Sequence, residues 1–344
     1  MNKYLFYLLL LLSSSVYGQQ IKNIRIKDNK NKSFALSEIA GSVIPVSIAD
    51  DIQFDRIDNV LCTDKYLFLV VHSVVQDERL PDRVLQYSRA GEFIREIGKQ
   101  DTKMFKKIFC DTVDNELFVY NGKEIRHYDF SGDPKQITEH GDNVVFYHDN
   151  CFWTVSWRPQ NDGSMDYGIS AYNRLTAEKQ TVPFNLKDKK SSANGGISYV
   201  MRSPCLSVHD NTIAVSFGLD NTIYVVRGQR LIPIVKYEIP KPKIPADKYA
   251  YTFQGFIGKY LCICYTVNMQ VNLYMEDLQS GKTYIAAQPG GIADDVFDTG
   301  FCGISPLNIE NHFWFVKKKN DMDETAKNKI PLKGDFIVFI VKVK

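Results

Sequence analysis

Three aspartates in one short stretch come closest to metal-ligand spacing in this sequence. Asp294, Asp295 and Asp298 follow one another within five residues. Carboxylate oxygens are the ligands that Ca²⁺ prefers, and paired carboxylates can also act as general acid and base. However, the spacing lacks the alternating oxygen ligands of a calcium loop. We therefore predict no metal and no other cofactor, and keep calcium at these three residues as the alternative.

An aromatic side chain next to a cation is the second candidate site. Trp157 is followed by Arg158, where a predicted strand gives way to a polar loop at 158–167. An exposed ring beside polar side chains can stack on a sugar or a peptide. Trp153 and Trp314 occupy equivalent positions in two copies of a sequence repeat, which favours packing for those two residues. Trp157 and Arg158 are therefore predicted ligand contacts.

Composition and motifs exclude several classes of function. The sequence contains no Gly-x-Ser-x-Gly, no His-Glu-x-x-His and no phosphate-binding glycine loop. The 42 basic and 40 acidic residues give a net charge of +2 without a basic stripe, so nucleic acid is not an expected partner. The odd number of seven cysteines leaves at least one thiol unpaired unless it pairs between molecules, and their single positions in apolar stretches predict buried free thiols.

The first eighteen residues predict an export signal. Lys3 precedes an apolar run at 4–12, and small residues lead to Gly18. The run is roughly half of the twenty residues that span a bilayer, so we expect no membrane span. The first cysteine is Cys62, so no lipid anchor is predicted. We expect cleavage near Gly18 and a soluble product, residues 19–344, in the periplasm or outside the cell.

A repeated strand-turn-strand unit must position the candidate side chains. Its six copies recur about every 49 residues, which is typical of four-stranded propeller blades. One four-stranded sheet cannot bury both of its faces, whereas sheets stacked in a ring bury them against each other. The sequence thus predicts an all-β, six-bladed β-propeller of four-stranded antiparallel blades, with the ring at about 42–344. A tandem of immunoglobulin-like sandwiches is the alternative.

The predicted topology also places the two ends of the ring and one functional face. We expect the N-terminal segment 42–48 to pair with the C-terminal segment 335–343 and close the ring. Loops between blades, and between the second and third strands of each blade, emerge on one side. These loops carry Arg56, His72 and Arg202, as well as Trp157 and Arg158, and these five residues are the predicted ligand-binding set.

Several segments carry a family resemblance. Residues 36–43, 48–51, 64–70 and 87–98 resemble the exported six-bladed β-propeller family that is abundant in Bacteroidetes. The resemblance implies a propeller of the periplasm or cell surface, in a family whose activities are largely unassigned. The segment 99–105 departs from the family because it lacks the glycines and proline common there.

These observations together favour a binding or interaction module of the cell envelope. Its ligand would be a glycan, a peptide or an envelope protein. The alternative is a metal-dependent hydrolase or lactonase with its ion in the central channel, since six-bladed propellers also host that chemistry.

Overall fold

A computed structural model describes residues 21–27, 32–99, 106–139, 143–159, 165–186, 204–217, 220–240, 250–267, 270–287 and 291–344. These ranges contain thirty strands, two short α-helices and one 3₁₀ helix. The strands are rich in β-branched and aromatic residues, which pack well on a pleated surface. In this part of the chain no helix is long and apolar enough to cross a membrane.

Six four-stranded antiparallel meanders follow one another along the chain. The chain begins with β1 (Lys22–Arg25), β2 (Phe34–Ala35), helix α1 (Leu36–Ile39) and β3 (Ala40–Ile48). Sheet 1 comprises β4 (Arg56–Cys62), β5 (Tyr66–His72), β8 (Arg83–Ser88) and β9 (Phe93–Ile97), with the hairpin β6 (Val74–Val75) and β7 (Glu78–Arg79) inserted after β5. Sheet 2 comprises β10 (Lys107–Asp111), β11 (Glu116–Tyr120), β12 (Glu124–Asp129) and β13 (Pro134–Glu139).

The remaining four-stranded sheets have the same strand order. Sheet 3 comprises β14 (Asn143–His148), β15 (Cys151–Pro159), β16 (Met165–Asn173) and β17 (Lys179–Leu186). Sheet 4 comprises β18 (Cys205–His209), β19 (Thr212–Phe217), β20 (Asp220–Arg227) and β21 (Arg230–Glu238). Sheet 5 comprises β22 (Ala250–Ile257), β23 (Tyr260–Val267), β24 (Gln270–Asp277) and β25 (Thr283–Ala287). Sheet 6 comprises β28 (Ser305–Pro306), β29 (His312–Lys318) and β30 (Phe336–Val343), with β3 as its fourth strand.

The turns inside the repeats follow from their residue types. Asp149 and Asn150 both have positive φ, of 48° and 57°, and Asp210 and Asn211 have φ of 47° and 56°. Each pair forms the whole loop between two antiparallel strands. Two consecutive residues with positive φ are the requirement of a type I′ hairpin, whose twist matches that of the strands. The Asp-Asn signal therefore identifies tight hairpins correctly.

The last sheet is completed by the N-terminal part of the chain. Strand β3 pairs antiparallel with β30, and Ile48 stands opposite Phe336. This confirms the predicted pairing of 42–48 with 335–343. Because β3 leads directly into β4, the pairing joins sheet 6 to sheet 1.

A three-stranded sheet was not predicted. It consists of β2, β26 (Ile292–Asp294) and β27 (Gly300–Cys302). The described residues thus form seven sheets of three or more strands, where the sequence predicts six blades. The prediction missed the extra sheet because its strands have only two or three residues and carry no copy of the repeat.

The apolar core is divided among the contacts between neighbouring sheets. Six clusters of buried side chains occur in the described ranges, and each joins two consecutive four-stranded sheets: 1 and 2, 2 and 3, 3 and 4, 4 and 5, 5 and 6, and 6 and 1. The cluster between sheets 5 and 6 also includes Ile292 and Cys302 of the three-stranded sheet. The first strands of neighbouring sheets contact each other, as β4 does β10 and β18 does β22. The fold is an all-β propeller with four-stranded antiparallel blades.

Before β3, the N-terminal segment follows the outer edges of other sheets. Strand β1 adds in parallel to β21, the last strand of sheet 4. Strand β2 adds in parallel to β26. An edge strand leaves backbone N–H and C=O groups unpaired, and these additions satisfy part of them.

The insertion at 317–333 forms local helices. It contains a 3₁₀ helix (Lys319–Asp321) and helix α2 (Glu324–Asn328). Asp323 caps α2 by accepting a hydrogen bond from the backbone N–H of Ala326 at 2.9 Å.

Candidate functional site

Two of the predicted site residues meet at one corner of sheet 1. Arg56 at the start of β4 stands opposite His72 at the end of β5. The ladder contains a bulge between Ile57 and Asn59, and Asp58 is its extra residue. A bulge bends its strand and redirects a side chain. We name the residues gathered here the sheet-1 corner: Arg56, Asp58, His72, Arg79, Asp82 and Lys106.

Asp58, His72 and Asp82 form a compact polar group within this corner. One side-chain donor or acceptor atom of each lies within 4.8 Å of the other two. His72 and Asp82 are buried, with 9% and 2% of their surface exposed, whereas Asp58 is exposed. The imidazole Nδ1 lies 3.5 Å from Asp82 Oδ1 and has no hydrogen-bond partner within the described structure. Such buried polar atoms are uncommon, and each needs an explanation.

Three cationic side chains surround the two carboxylates. Arg56 Nε donates to Asp58 Oδ1 at 2.5 Å, and its Nη2 donates to Oδ2 at 3.1 Å. Arg79 Nη2 donates to Asp82 Oδ1 at 2.9 Å. Lys106 donates its backbone N–H to Asp82 Oδ2 at 3.2 Å and its Nζ to the Asp82 carbonyl at 2.6 Å. The hydrogen bond to Asp58 raises the pKa of Arg56. The corner can therefore bind a cation through its carboxylates or an anion through its guanidinium groups.

A hairpin projects from the same corner. Its strands β6 and β7 pair with each other and with no other described strand. Gln76 and Asp77 at its tip have φ of 52° and 66°, as a type I′ turn requires. Val74 and Val75 are 44% and 54% exposed, and Leu80 after β7 is 38% exposed. The hairpin and the residue after it thus expose three apolar side chains close together in the chain.

A groove of about 360 Å³ lies beside this hairpin. Its lining residues are Ile48, Asp50, Ile52, Gln53, Phe54, Asp55, Ser73, Val74, Val75, Asp335 and Phe336. Three of these residues carry carboxylates and none carries a cation. Phe54 and Phe336 stack on each other with ring centroids 4.8 Å apart. An acidic groove that also offers apolar surface complements a ligand with cationic and apolar groups.

Hydrogen bonds join the groove to the ring. Asp55 Oδ2 accepts from the Val74 backbone N–H at 2.6 Å, which ties the hairpin to the loop before β4. Asp50 Oδ1 accepts from the backbone N–H of Asp335 at 2.9 Å, which ties the same loop to β30. The groove is thus built where the closing strands meet sheet 1. As predicted, the loop that joins two blades and the loop after a second strand lie on the same side.

The other predicted ligand-binding residues are not brought to this corner by any described contact. Trp157 and Arg158 lie inside β15, opposite Tyr167 and Asp166 of β16. The predicted loop at 158–167 is therefore wrong in its bounds, because the backbone ladder continues to Pro159 and resumes at Met165. The side chains of Trp157 and Arg158, and all of Arg202, lie outside the described residues. Their role in ligand binding stays a prediction.

The aspartates proposed as a calcium site have separate partners. Asp294 accepts hydrogen bonds at 3.1 Å from two backbone N–H groups of its own turn. Asp295 accepts from the backbone N–H of Ser37 at 2.9 Å and from its hydroxyl at 2.5 Å. Asp298 forms an ion pair with Lys329. Among the residues that the structure covers, these three carboxylates do not gather within 4.8 Å of one another. Asp294 thus closes its own turn, whereas Asp295 and Asp298 fasten the loop to Ser37 and to Lys329.

The cysteines are free thiols, and burial raises the pKa of several of them. All seven cysteines lie in described ranges and none forms a disulfide; Cys62, Cys262 and Cys302 are buried, as predicted, and the other four are half-buried. Burial raises the pKa of Cys110 and of Cys302 to about 12. A thiol with so high a pKa has little thiolate at neutral pH, and the thiolate is the nucleophile.

Four residues of the corner were missed by sequence reasoning: Asp58, Arg79, Asp82 and Lys106. A signal for Asp82 was present, because it precedes the third strand of the repeat just as His72 ends the second. Asp58 could not be placed, since regular alternation along β4 does not anticipate the bulge.

Comparison with known proteins finds a solved structure that shares the fold. No protein-family model and no curated protein matches the sequence. A Bacteroides fragilis protein named as an exported protein is similar with a TM-score of 0.63 at 11% identity, over 94% of this chain and 100% of that one. The AfRom2 CNH domain is similar with a TM-score of 0.39 at 9% identity, over 87% and 98% of the two chains. The WD40 domain of SCAP from fission yeast is similar with a TM-score of 0.37 at 11% identity, over 89% of this chain and 98% of that one.

Proposed function

We propose that this protein is an exported interaction module of the cell envelope, and that it binds a protein segment carrying cationic and apolar side chains. The observation that carries the proposal is the acidic groove bordered by exposed Val74 and Val75 on a projecting hairpin. Export is supported by the signal-like residues 1–18.

The character of the groove favours a protein segment over a glycan. Asp50, Asp55 and Asp335 supply negative charge, and the groove offers no basic side chain to an anionic ligand. Phe54 and Phe336 stack on each other, so neither of the two facing ring surfaces is available to a sugar. Apolar side chains with a rim of one charge are typical of protein contact surfaces, where charge complementarity selects the partner.

The proposal includes a ring of six blades. The six four-stranded sheets are taken as the blades, because their six shared core clusters form a closed series. The three-stranded sheet is then an addition packed between blades 5 and 6.

Photo-crosslinking in cells of the source organism tests the proposal. A benzophenone amino acid replaces Val75 in one variant and Ile137 in a control variant, where Ile137 is 60% exposed on sheet 2. We expect one protein to be crosslinked at Val75 and not at Ile137. The charge reversal Asp335→Lys within the groove should abolish that product.

The matched control for charge is Asp321→Lys, which makes the same change at an exposed residue outside the groove. It should leave the product unchanged. Equal crosslinking from Val75 and Ile137, or a product that survives Asp335→Lys, would contradict a groove-specific partner.

A further inference from the structure

We infer that Asp58, His72 and Asp82 bind a divalent transition-metal ion of the Zn²⁺ class. This site is distinct from the groove in its residues and in its ligand, and it does not rest on the proposed protein partner. One imidazole nitrogen and two carboxylate oxygens are a ligand set that suits borderline ions such as Zn²⁺.

The distances already approach those of a tetrahedral site. With metal–ligand distances of about 2.1 Å, two tetrahedral ligand atoms stand about 3.4 Å apart. His72 Nδ1 and Asp82 Oδ1 are 3.5 Å apart. All three ligand atoms lie within 4.8 Å of one another. Rotation of the exposed Asp58 side chain can bring the third ligand atom over the remaining distance.

The buried imidazole supplies the second line of argument. His72 Nδ1 is buried and has no hydrogen-bond partner in the described structure, although it faces a carboxylate. If this nitrogen carries no proton, no donor in the described structure bonds to it. If it carries the proton, its 3.5 Å distance to Asp82 Oδ1 is longer than that of a normal hydrogen bond. An ion between the two atoms would satisfy both lone pairs.

Arg79 and Lys106 can stay in place when the ion binds. The Asp82 carboxylate has about four acceptor positions and uses two of them for Arg79 Nη2 and the Lys106 N–H. Donors of this kind orient a ligating carboxylate. They also reduce its negative charge, so binding by Asp82 and His72 alone would be weak.

Arg56 competes with the ion directly. It occupies both oxygens of Asp58, and one of these must be released for the carboxylate to reach the metal. The Arg56 side chain is 62% exposed and can move into solvent. Removing its charge should therefore strengthen metal binding, whereas removing a ligand should weaken it. The same exposed side leaves a fourth coordination position open, as in metal sites that bind an external ligand.

Isothermal titration of chelator-treated protein with Zn²⁺ tests this inference, using the full exported chain without a histidine tag. We expect one ion per chain. His72→Ala and Asp58→Asn should each weaken binding by at least about tenfold, since even outer partners of metal ligands contribute ten- to hundredfold. Arg56→Gln should strengthen it. His148→Ala, at the end of β14 in sheet 3, is the control and should change nothing.

Spectra of the Co²⁺ form distinguish this site from the cysteines. Nitrogen and oxygen ligands give visible d–d bands without the near-ultraviolet charge transfer of thiolates. If His72→Ala fails to fold by circular dichroism, Asp58→Asn decides, because Asp58 is exposed. Undiminished binding in Asp58→Asn, thiolate charge transfer as the main band, or no stoichiometric binding would each overturn the inference.

Discussion

The pairing of β3 with β30 predicts that one buried side chain in β3 stabilises the whole ring. Ile48 and Ile44 lie on the same strand, both paired to β30, at Phe336 and Ile340. Ile48 is 1% exposed and belongs to the cluster between sheets 6 and 1, while Ile44 is 46% exposed. Ile48→Ala and Ile44→Ala are therefore the same chemical change in the same strand, made at a buried and at an exposed position.

The expected difference follows from the burial of the two side chains. Each substitution removes three carbon atoms, worth about 0.8 kcal/mol apiece when fully buried, or about 2.4 kcal/mol for Ile48. The cavity left behind brings the expected loss for Ile48→Ala to about 2–5 kcal/mol. The half-exposed Ile44 should lose about 1.3 kcal/mol of transfer free energy and leave no closed cavity. The change in strand propensity is common to both variants.

Urea unfolding, followed by tryptophan fluorescence and by circular dichroism, measures the free energy of unfolding of each variant. We expect Ile48→Ala to lower it by at least 1 kcal/mol more than Ile44→Ala, in one transition seen by both probes. If the two variants lost the same stability within about 0.5 kcal/mol, β3 would not contribute to a shared core. A separate early transition in Ile48→Ala would show that sheet 6 unfolds independently of the ring.

Three further predictions concern turns, charge and a link between sheets. Gly91 has φ of 83° and an added Cβ would collide with a backbone carbonyl of β3, so Gly91→Ala should lower the urea midpoint more than Gly122→Ala, where φ is 94° and the space is open. Burial raises the pKa of Asp277, but the hydrogen bonds from Lys259 and from backbone N–H groups outweigh it and lower the pKa to about 2. The stability that this aspartate contributes should be complete above about pH 4 and lost as the pH falls towards 2, so unfolding curves of Asp277→Asn and the unaltered protein should converge there. Asn308 holds the backbone of β4 through hydrogen bonds of 2.8 and 2.9 Å, and Asn308→Ala should cost about 1–3 kcal/mol in the same assay; an unchanged midpoint would contradict this link.

The four-stranded sheets could be predicted because their information is local. A two-residue Asp-Asn loop specifies a hairpin by its φ preference, and alternating apolar residues specify which face is buried. Ring closure could be inferred by elimination, because the apolar segments 42–48 and 335–343 had no hairpin partner next to them in the sequence. The structure confirms this pairing at Ile48 and Phe336.

The parallel additions at the outer edges could not be predicted. In β1 only Ile24 is buried, and Ile26 just after the strand is buried too. A strand of four residues is too short to show a clear alternation of apolar and polar residues. Strand β2 has two residues and depends on β26, which lies far along the chain. Such strands form because an existing edge has free backbone groups, and this property belongs to the folded sheet rather than to the short segment.

The part of the candidate site that follows from the strand topology could be predicted from the sequence. The expectation that loops of one side converge led to Arg56 and His72, which do face each other. It did not lead to Asp58, whose position depends on a bulge, or to exposed Val74 and Val75 of a hairpin that lies between two blade strands. A role for Arg202 and for the Trp157 side chain in ligand binding remains a prediction, because both lie outside the described residues.

The course of the N-terminal segment along the outer edges has a consequence for assembly. A chain synthesised from its N-terminus produces β1, β2 and β3 first, yet Lys22 pairs with Val235 and Ile48 pairs with Phe336. These three strands must wait for partners made much later, and contacts so distant in sequence form slowly. Until β30 is available, β3 has no sheet to join and remains an unpaired apolar strand open to aggregation. The pairing of β3 with β30 therefore has to form after nearly the whole chain has been made, and a chain cut short before Phe336 would leave β3 without its partner strand while β1 and β2 keep theirs.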